Sequence, residues 1–492
     1  MEHIWHNICR LLTYDASAPM LFSSGTFWAL FLVFMPLYGL LKRRWWQMAF
    51  FVVAFSFFFY YKSSGLFVAM LAGTSLLDWW LSRLMARPGM SKGRRKACVA
   101  LSLTVSLGIL AYFKYANFFL WNIQAMVGGN FQPLDLVLPV GISFYTFQSV
   151  SYIIDVYKGR VAPTETWLEY AFFLSFFPAL VAGPIVRADY FLPQIRANAS
   201  ATRTEVYAGL WMIILGVVKK AIIADYIAQY NDLIFQTPGG YSGFETLMGI
   251  IGYTMQIYCD FSGYSDMAIG LALLMGYRFK INFAAPFKSQ SPTEFWRRWH
   301  ISLSTWLRDY IYIPLGGNRK GRVRKHLNLF ITMTVGGLWH GASWMYLIWG
   351  AYHGLLLIVH KELSKVWRIP ESLKGRPEVK AANIMLTFAL VVAGFTIFRA
   401  PSLEVAGQIA TQIFTAFHPE VITQFVEGYM LIVLALAAGY LAHISPRRWT
   451  TGASAVYTAM PAVWQAMILA AIIFLVVQTR QSELVPFIYL QY

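Results

Sequence analysis

The chain has 492 residues, of which 58% are apolar, 17% aromatic and only 13% charged. A soluble domain carries about 25% charged residues, and a soluble chain this apolar would expose patches that aggregate, so the composition excludes an ordinary water-soluble fold. The net charge of +17 does not point to nucleic acid, because its cations sit in short clusters between apolar runs, the distribution that orients membrane helices.

Apolar runs begin at 21–41, 45–61, 66–84 and 97–113, and continue through 136–154, 168–186, 206–224 and 245–275. Further runs follow at 327–338, 343–360, 381–399, 429–445 and 461–478. Strands of an outer-membrane barrel are ~10 residues long and alternate in polarity, whereas these runs are longer and apolar on every side. The expected class is therefore all-α and polytopic, with about 11–12 spans plus re-entrant or interfacial helices. Ahead of the first long run, His3, His6 and Asp15 speak against a cleavable signal. Cys9, Cys98 and Cys259 form no CxxC pair, so neither a disulfide framework nor a metal site is indicated.

Charge gives the orientation. Lys42-Arg43-Arg44 and the stretches Arg83 to Lys96, Arg278 to Lys325 and Lys361 to Lys380, with Arg447-Arg448, are expected at the cytoplasmic face. Segment 400–428 holds Glu404, Glu420 and Glu427 but no Lys or Arg, and is expected outside, as are both termini. The runs at 136–154 and 327–338 are interrupted by Pro139, Gly141, Gly336 and Gly337, which suits re-entrant or buried half-spans.

The stretch 278–326 is the least membrane-like. Between Arg278 and Lys325 it has eleven Lys or Arg against two acids, Glu294 and Asp309, interleaved with Trp296, Trp299, Trp306, Tyr310 and Tyr312. Such a mixture suits helices at the headgroup level, either as a plain positive-inside loop or as a cytoplasmic site for a phosphate-rich ligand.

His340 is the first candidate for chemistry, because an ionisable side chain at membrane depth is costly and faces an interior cavity or a partner. Glycines flank it in Gly336-Gly337-Leu338-Trp339-His340-Gly341 and permit close approach. An imidazole is suited to taking a proton from a hydroxyl near neutral pH. His300, forty residues upstream, is the second candidate, as an orienting group or an oxyanion donor. His353 and His360 are expected to pack or snorkel. Asp260, Ser262 and Asp266 break a long apolar run and are candidates either to line a cavity or to act as polar glue between helices.

The runs Pro139 to Gln148, Gln256 to Asp266, Phe295 to Ser304, Trp306 to Tyr312 and Gly337 to Gly341, in that order, resemble the membrane-bound O-acyltransferase family, and within it the bacterial alginate-type branch. The resemblance covers most of the chain and is densest over 138–357. It implies a single domain, 1–492, whose helices ring a central funnel, with C-terminal spans and an aromatic tail over 381–492. It implies His340 as the family histidine and His300 as the second histidine of the branch. Acetyl-coenzyme A is the implied donor substrate, with no bound prosthetic group; Arg297, Arg298, Arg308 and Trp299 are candidates to receive it. Tyr489, in the tail 487–492, matches a proposed acyl carrier of the branch, with a plain aromatic belt residue as the alternative.

The expectation is an O-acetyltransferase of a bacterial inner membrane, surrounded by membrane lipid. It would serve an extracytoplasmic polysaccharide through a partner acetyltransferase protein. A transporter or flippase of a polysaccharide export system is the alternative, which predicts export without acetyl transfer.

Overall fold

A computed structural model of the chain describes residues 12–16, 19–366 and 370–479. Among the described residues every regular element is helical, because in lipid a helix satisfies its own backbone groups. Tyr489 and Cys9 lie outside the described residues.

The first half of the chain forms α1 (Gly25–Leu41), α2 (Trp45–Ser64), α3 (Val68–Met85), α4 (Lys92–Leu110), α5 (Ala116–Val127), α6 (Ile142–Tyr157), α7 (Trp167–Ser175) and α8 (Ala188–Ala197). It continues with α9 (Arg203–Val217), α10 (Asp225–Gln236) and the 32-residue α11 (Gly243–Leu274). After two seven-residue helices, α12 (Pro292–Arg298) and α13 (Ile301–Leu307), come α14 (Gly321–His340), α15 (Trp344–Val366) and α16 (Pro377–Arg399). The chain closes with α17 (Leu403–Thr415), α18 (Ile422–Gly428), α19 (Met430–Ile444), α20 (Arg447–Ala459) and α21 (Ala462–Thr479).

Four helical stretches among the described residues are long and apolar enough to cross a membrane: Trp45–Met85, Lys92–Val127, Arg203–Gln236 and Pro377–Arg399. Two bent pairs raise that to six, 419–428 with α19 at 94° and 448–459 with 462–476 at 120°. Apolar runs and spans therefore do not match one for one. The run at 136–154 shows why: it is irregular up to Gly141, and the helix after it is buried on nearly every side. Gly141 has φ +72, and a Cβ there would lie 2.6 Å from the Leu180 carbonyl oxygen.

The helices group into two compact units. One holds, among the described residues, those up to Ile213 with Tyr264–Lys280. Its aromatic packing centres on Phe177, whose ring lies 5.0 Å from Phe55 and 5.6 Å from Phe34. A single carboxylate ties four of its helices together. Asp78 of α3 is fully buried and accepts from Ser102 of α4 at 2.6 Å, Ser149 of α6 at 2.5 Å and Tyr170 of α7 at 3.0 Å. Hydroxyls are the cheapest donors for holding an acid at membrane depth.

The other unit holds, among the described residues, Ile214–Gly263 and those from Ile281 onward. In it a π-helical turn, Val218–Ala224, leads into α10. This turn carries Lys220, 1% exposed, whose Nζ lies 2.6 Å from Asp260 and 2.7 Å from Asp225. Before α14 begins at Gly321, the basic stretch 278–326 forms only short helices. Ser291 caps α12 by accepting from Glu294 N–H, Pro292 takes the first helical position, and the Glu294 carboxylate reaches back to Gln290 N–H. That is the start signal which Ser-Pro-Thr-Glu encodes.

Beyond that stretch, α14 and α15 form an antiparallel hairpin crossed at glycines. A Cβ on Gly337 would lie 2.2 Å from the Tyr346 carbonyl oxygen, and one on Gly350 would lie 2.5 Å from that of Met333. Small residues let membrane helices approach backbone to backbone, and here they set the height of the last turn of α14.

Candidate functional site

His340 is the last residue of α14, and the chain leaves the helix at Gly341. The imidazole is 4% exposed. It is enclosed edge-on by Trp339 at 5.0 Å, Trp349 at 5.0 Å and Phe398 at 5.3 Å between ring centres. Aromatic edges and faces of this kind fix a ring's orientation. The glycine after it admits the Tyr346 ring, which occupies the space a Cβ on Gly341 would fill. The close approach expected at these glycines is thus made by the protein's own α15.

His300 joins α12 to α13 and has a left-handed backbone, φ +42 and ψ 56. It is fully buried, and its ring packs 4.7 Å from Phe261 and 5.9 Å from Trp339. The Trp339 indole therefore touches both histidines, and two residues forty apart in sequence meet in one aromatic cluster. Burial pushes the His300 pKa down to about 3, because an imidazolium loses its hydration there. His300 is a neutral base at any physiological pH.

The other candidates are placed as follows. Trp299 is 1% exposed, stacked on Phe295 at 5.6 Å and packed on Phe283 and Phe395, which makes it a core ring. Arg298 holds Glu294 through Nε at 3.0 Å and Nη2 at 2.6 Å, and the Ala284 carbonyl through Nη1. Arg308 pairs with Asp309 at 2.8 Å and stays largely exposed. Arg297 is exposed. Asp260 is the buried partner of Lys220. Ser262 is 1% exposed, and its hydroxyl has no hydrogen-bond partner among the described residues. Asp266 is half-buried and belongs to the other unit. His353 is 1% exposed among Phe295, Trp296 and Trp349, whereas His360 faces the Thr293 hydroxyl at 3.3 Å.

At the far end of the hairpin Lys361 feels the charges of Lys325 and Arg297. Lys361 lies past the apolar run of α15, between His360, which bonds Thr293 of α12, and Glu362, which bonds His326 of α14 at 2.9 Å. Partial burial, and then the charges of Lys325 and Arg297, hold the Lys361 pKa below its ordinary value. An anion placed among them would relieve that repulsion. No group of three His, Cys, Asp or Glu is arranged to hold a metal among the described residues.

Sequence reasoning missed Lys220, Asn282, Lys325 and Lys361. Lys220 had a usable signal, a cation inside the apolar run 206–224. Lys325 and Lys361 lie in basic stretches already expected at the cytoplasmic face, without anything to single them out there, and Asn282 carries no signal, since its importance is a matter of which segments meet.

The family model for MBOAT, the membrane-bound O-acyltransferase family, matches residues 164–385. The chain is 42% identical over 402 residues to the probable alginate O-acetylase AlgI of Pseudomonas putida, covering 80% of each chain. It is 35% identical over 366 residues to the peptidoglycan O-acetyltransferase of Helicobacter pylori, covering 69% of this chain and 68% of that one. Similarity extends to the teichoic acid D-alanyltransferase of Bacillus subtilis, 28% identical over 57% of this chain and 73% of the relative.

Proposed function

The chain belongs to the membrane-bound O-acyltransferase family, and on that premise we propose that it takes acetyl from cytoplasmic acetyl-coenzyme A and delivers it for O-acetylation of a polysaccharide outside the cell. It is a membrane-embedded acyltransferase. The observation that carries the finer reading is the meeting of His340 and His300 on one indole, in a chain 42% identical to an alginate O-acetylase. The peptidoglycan relative supports a glycan as the final destination.

His340 acts as general base toward an acceptor hydroxyl. The oxygen attacks the thioester carbonyl while its proton passes to the imidazole. The carbon–sulfur bond then breaks, and the proton goes to the departing thiolate, so His340 ends as it began. Base catalysis of this kind is worth about 10²–10⁴ in rate. The acceptor is Tyr489 or a hydroxyl of a partner acetyltransferase, which places the acetyl group on the polymer. The protein resides in a bacterial inner membrane with both termini outside.

Coenzyme A enters from the basic side. Of the three arginines expected to meet it, Arg297 fits best, because Arg298 and Arg308 already hold carboxylates while the exposed Arg297 adds its charge to that of Lys325 on Lys361. Arg297→Glu is expected to raise the KM for acetyl-coenzyme A by about tenfold with kcat retained, the mark of a charge-assisted phosphate contact.

The principal test is His340→Ala in a polymer-producing cell, with acetyl esters counted on the polysaccharide. Near-complete loss at unchanged membrane abundance is expected. Normal acetylation rejects the assignment. Purified protein that moves a polymer but releases no free coenzyme A from acetyl-coenzyme A rejects the enzyme reading in favour of a transporter.

A further inference from the structure

Asn282 lies between Ile281 and Phe283 and is 1% exposed. Its side-chain oxygen accepts from Ser302 N–H at 3.1 Å and from the Ser302 hydroxyl at 2.9 Å, and it lies 3.3 Å from His300 Nδ1. The Asn282 backbone carbonyl also accepts from Ile301 N–H at 2.9 Å. One residue thus grips 300, 301 and 302, the corner where the chain takes its left-handed step at His300.

Chemistry settles which way this amide points. A backbone N–H can only donate, so the Asn282 atom facing Ser302 N–H is the oxygen and not the amide nitrogen. An oxygen has no proton to give to His300. The Nδ1 facing it must therefore carry the proton, and a neutral ring with Nδ1–H has its lone pair on Nε2. Burial, which pushes the His300 pKa down to about 3, keeps the ring in that neutral form.

We propose that Asn282 is a positioning residue which holds His300 as the Nδ1–H tautomer, so that Nε2 meets the reactants as a hydrogen-bond acceptor. The tautomer follows from the Asn282–Ser302 geometry; the role of Nε2 rests on the functional reading above. It narrows that reading. A neutral ring with Nε2 bare takes a hydrogen bond from an N–H or O–H of a substrate, and it has no proton on that side to offer a developing oxyanion. Of the two roles that a second histidine suggests, orientation stands and oxyanion donation does not.

The test is nitrogen NMR of the full chain, labelled at histidine, in bilayers, with the His300 signals identified by their disappearance in His300→Gln. Wild-type protein is expected to show His300 Nδ1 protonated and Nε2 bare. Asn282→Ala is expected to shift the proton to Nε2. Asn282→Asp, which keeps an acceptor for both Ser302 groups and for Nδ1, retains Nδ1–H. Ser302→Ala weakens the brace on the corner without touching the ring and also retains Nδ1–H; a purely structural role for Asn282 predicts that this variant and Asn282→Ala behave alike. A protonated Nε2 in the wild type, or an unchanged tautomer in Asn282→Ala, overturns the proposal. The wild-type spectrum decides the matter even where a variant fails to fold. Turnover of acetyl-coenzyme A by Asn282→Ala is expected to fall by about 10²-fold or more. Unaltered turnover together with the shifted tautomer removes His300 from the reaction and leaves the tautomer assignment standing.

Discussion

Gly337→Ala is the sharpest probe of how the fold sets the reacting histidine. A methyl at that position would sit 2.2 Å from the Tyr346 carbonyl oxygen, whereas ordinary contact begins at 3.4 Å. The two helices must therefore separate by about 1.2 Å at the crossing. Backbone atoms block the way, the carbonyl of Tyr346 and then the Gly350 Cα at 3.0 Å, so no side chain can swing aside. His340 lies three residues further along α14, about 4.5 Å up the axis, and rides on the displaced turn. A misplacement of about 1 Å costs about 10²-fold in rate, or about 2.7 kcal/mol of barrier. Stability changes less, because overpacking costs about 1–3 kcal/mol while alanine is the better helix former by about 1 kcal/mol. The assay is coenzyme A release per mole of purified protein, alongside its thermal unfolding midpoint. Gly407→Ala on α17 is the matched control, since nothing lies within 4 Å of its Cβ; it is expected to keep full turnover and gain slightly in stability. If Gly337→Ala unfolds within a few degrees of wild type yet turns over within about threefold of it, the glycine crossing does not position His340.

Asp78→Leu is expected to cost at least about 3 kcal/mol in thermal unfolding, since Ser102, Ser149 and Tyr170 all lose their acceptor. Asp78→Asn is expected to cost clearly less, because an amide oxygen still accepts, and equal losses count against the network. Lys220→Met is expected to destabilise by about 3–5 kcal/mol by leaving Asp260 buried without its cation. Adding Asp260→Asn is expected to restore part of that, and a strictly additive double variant shows that the pair is not coupled. His300, with its pKa lowered to about 3, makes a pH prediction. Between about pH 6.5 and about pH 3 the unfolded chain binds a proton at this ring and the folded chain does not, so stability rises with pH across that window. His300→Gln removes this term, and its unfolding midpoint is expected to fall less between pH 7 and pH 4 than that of the wild type; parallel curves refute the burial of a neutral ring.

Much of this protein was legible from its residues. Composition named the solvent, and a solvent without hydrogen bonds leaves only self-satisfied helices. The Gly-Leu-Trp-His-Gly run singled out His340, and the basic, aromatic stretch 278–326 drew the eye to His300. Those are local properties, readable wherever a side chain's own chemistry or its near neighbours decide the outcome.

Span boundaries were less legible, because an apolar run says that a segment leaves water but not whether lipid or protein replaces it. The run ahead of α6 is buried against protein. For the same reason Trp299 and Arg297, two residues apart in one basic, aromatic stretch, parted ways. The first faces Phe283 and Phe395 in the core, and the second is exposed, its charge acting on Lys361. Only the tertiary structure decided that one indole touches both histidines, that Asn282 orients one of them, and that Lys220 spans two acids. Each brings together residues up to about 40 positions apart on different elements. Contacts of that kind follow from how separate segments pack against one another, a geometry no linear pattern records.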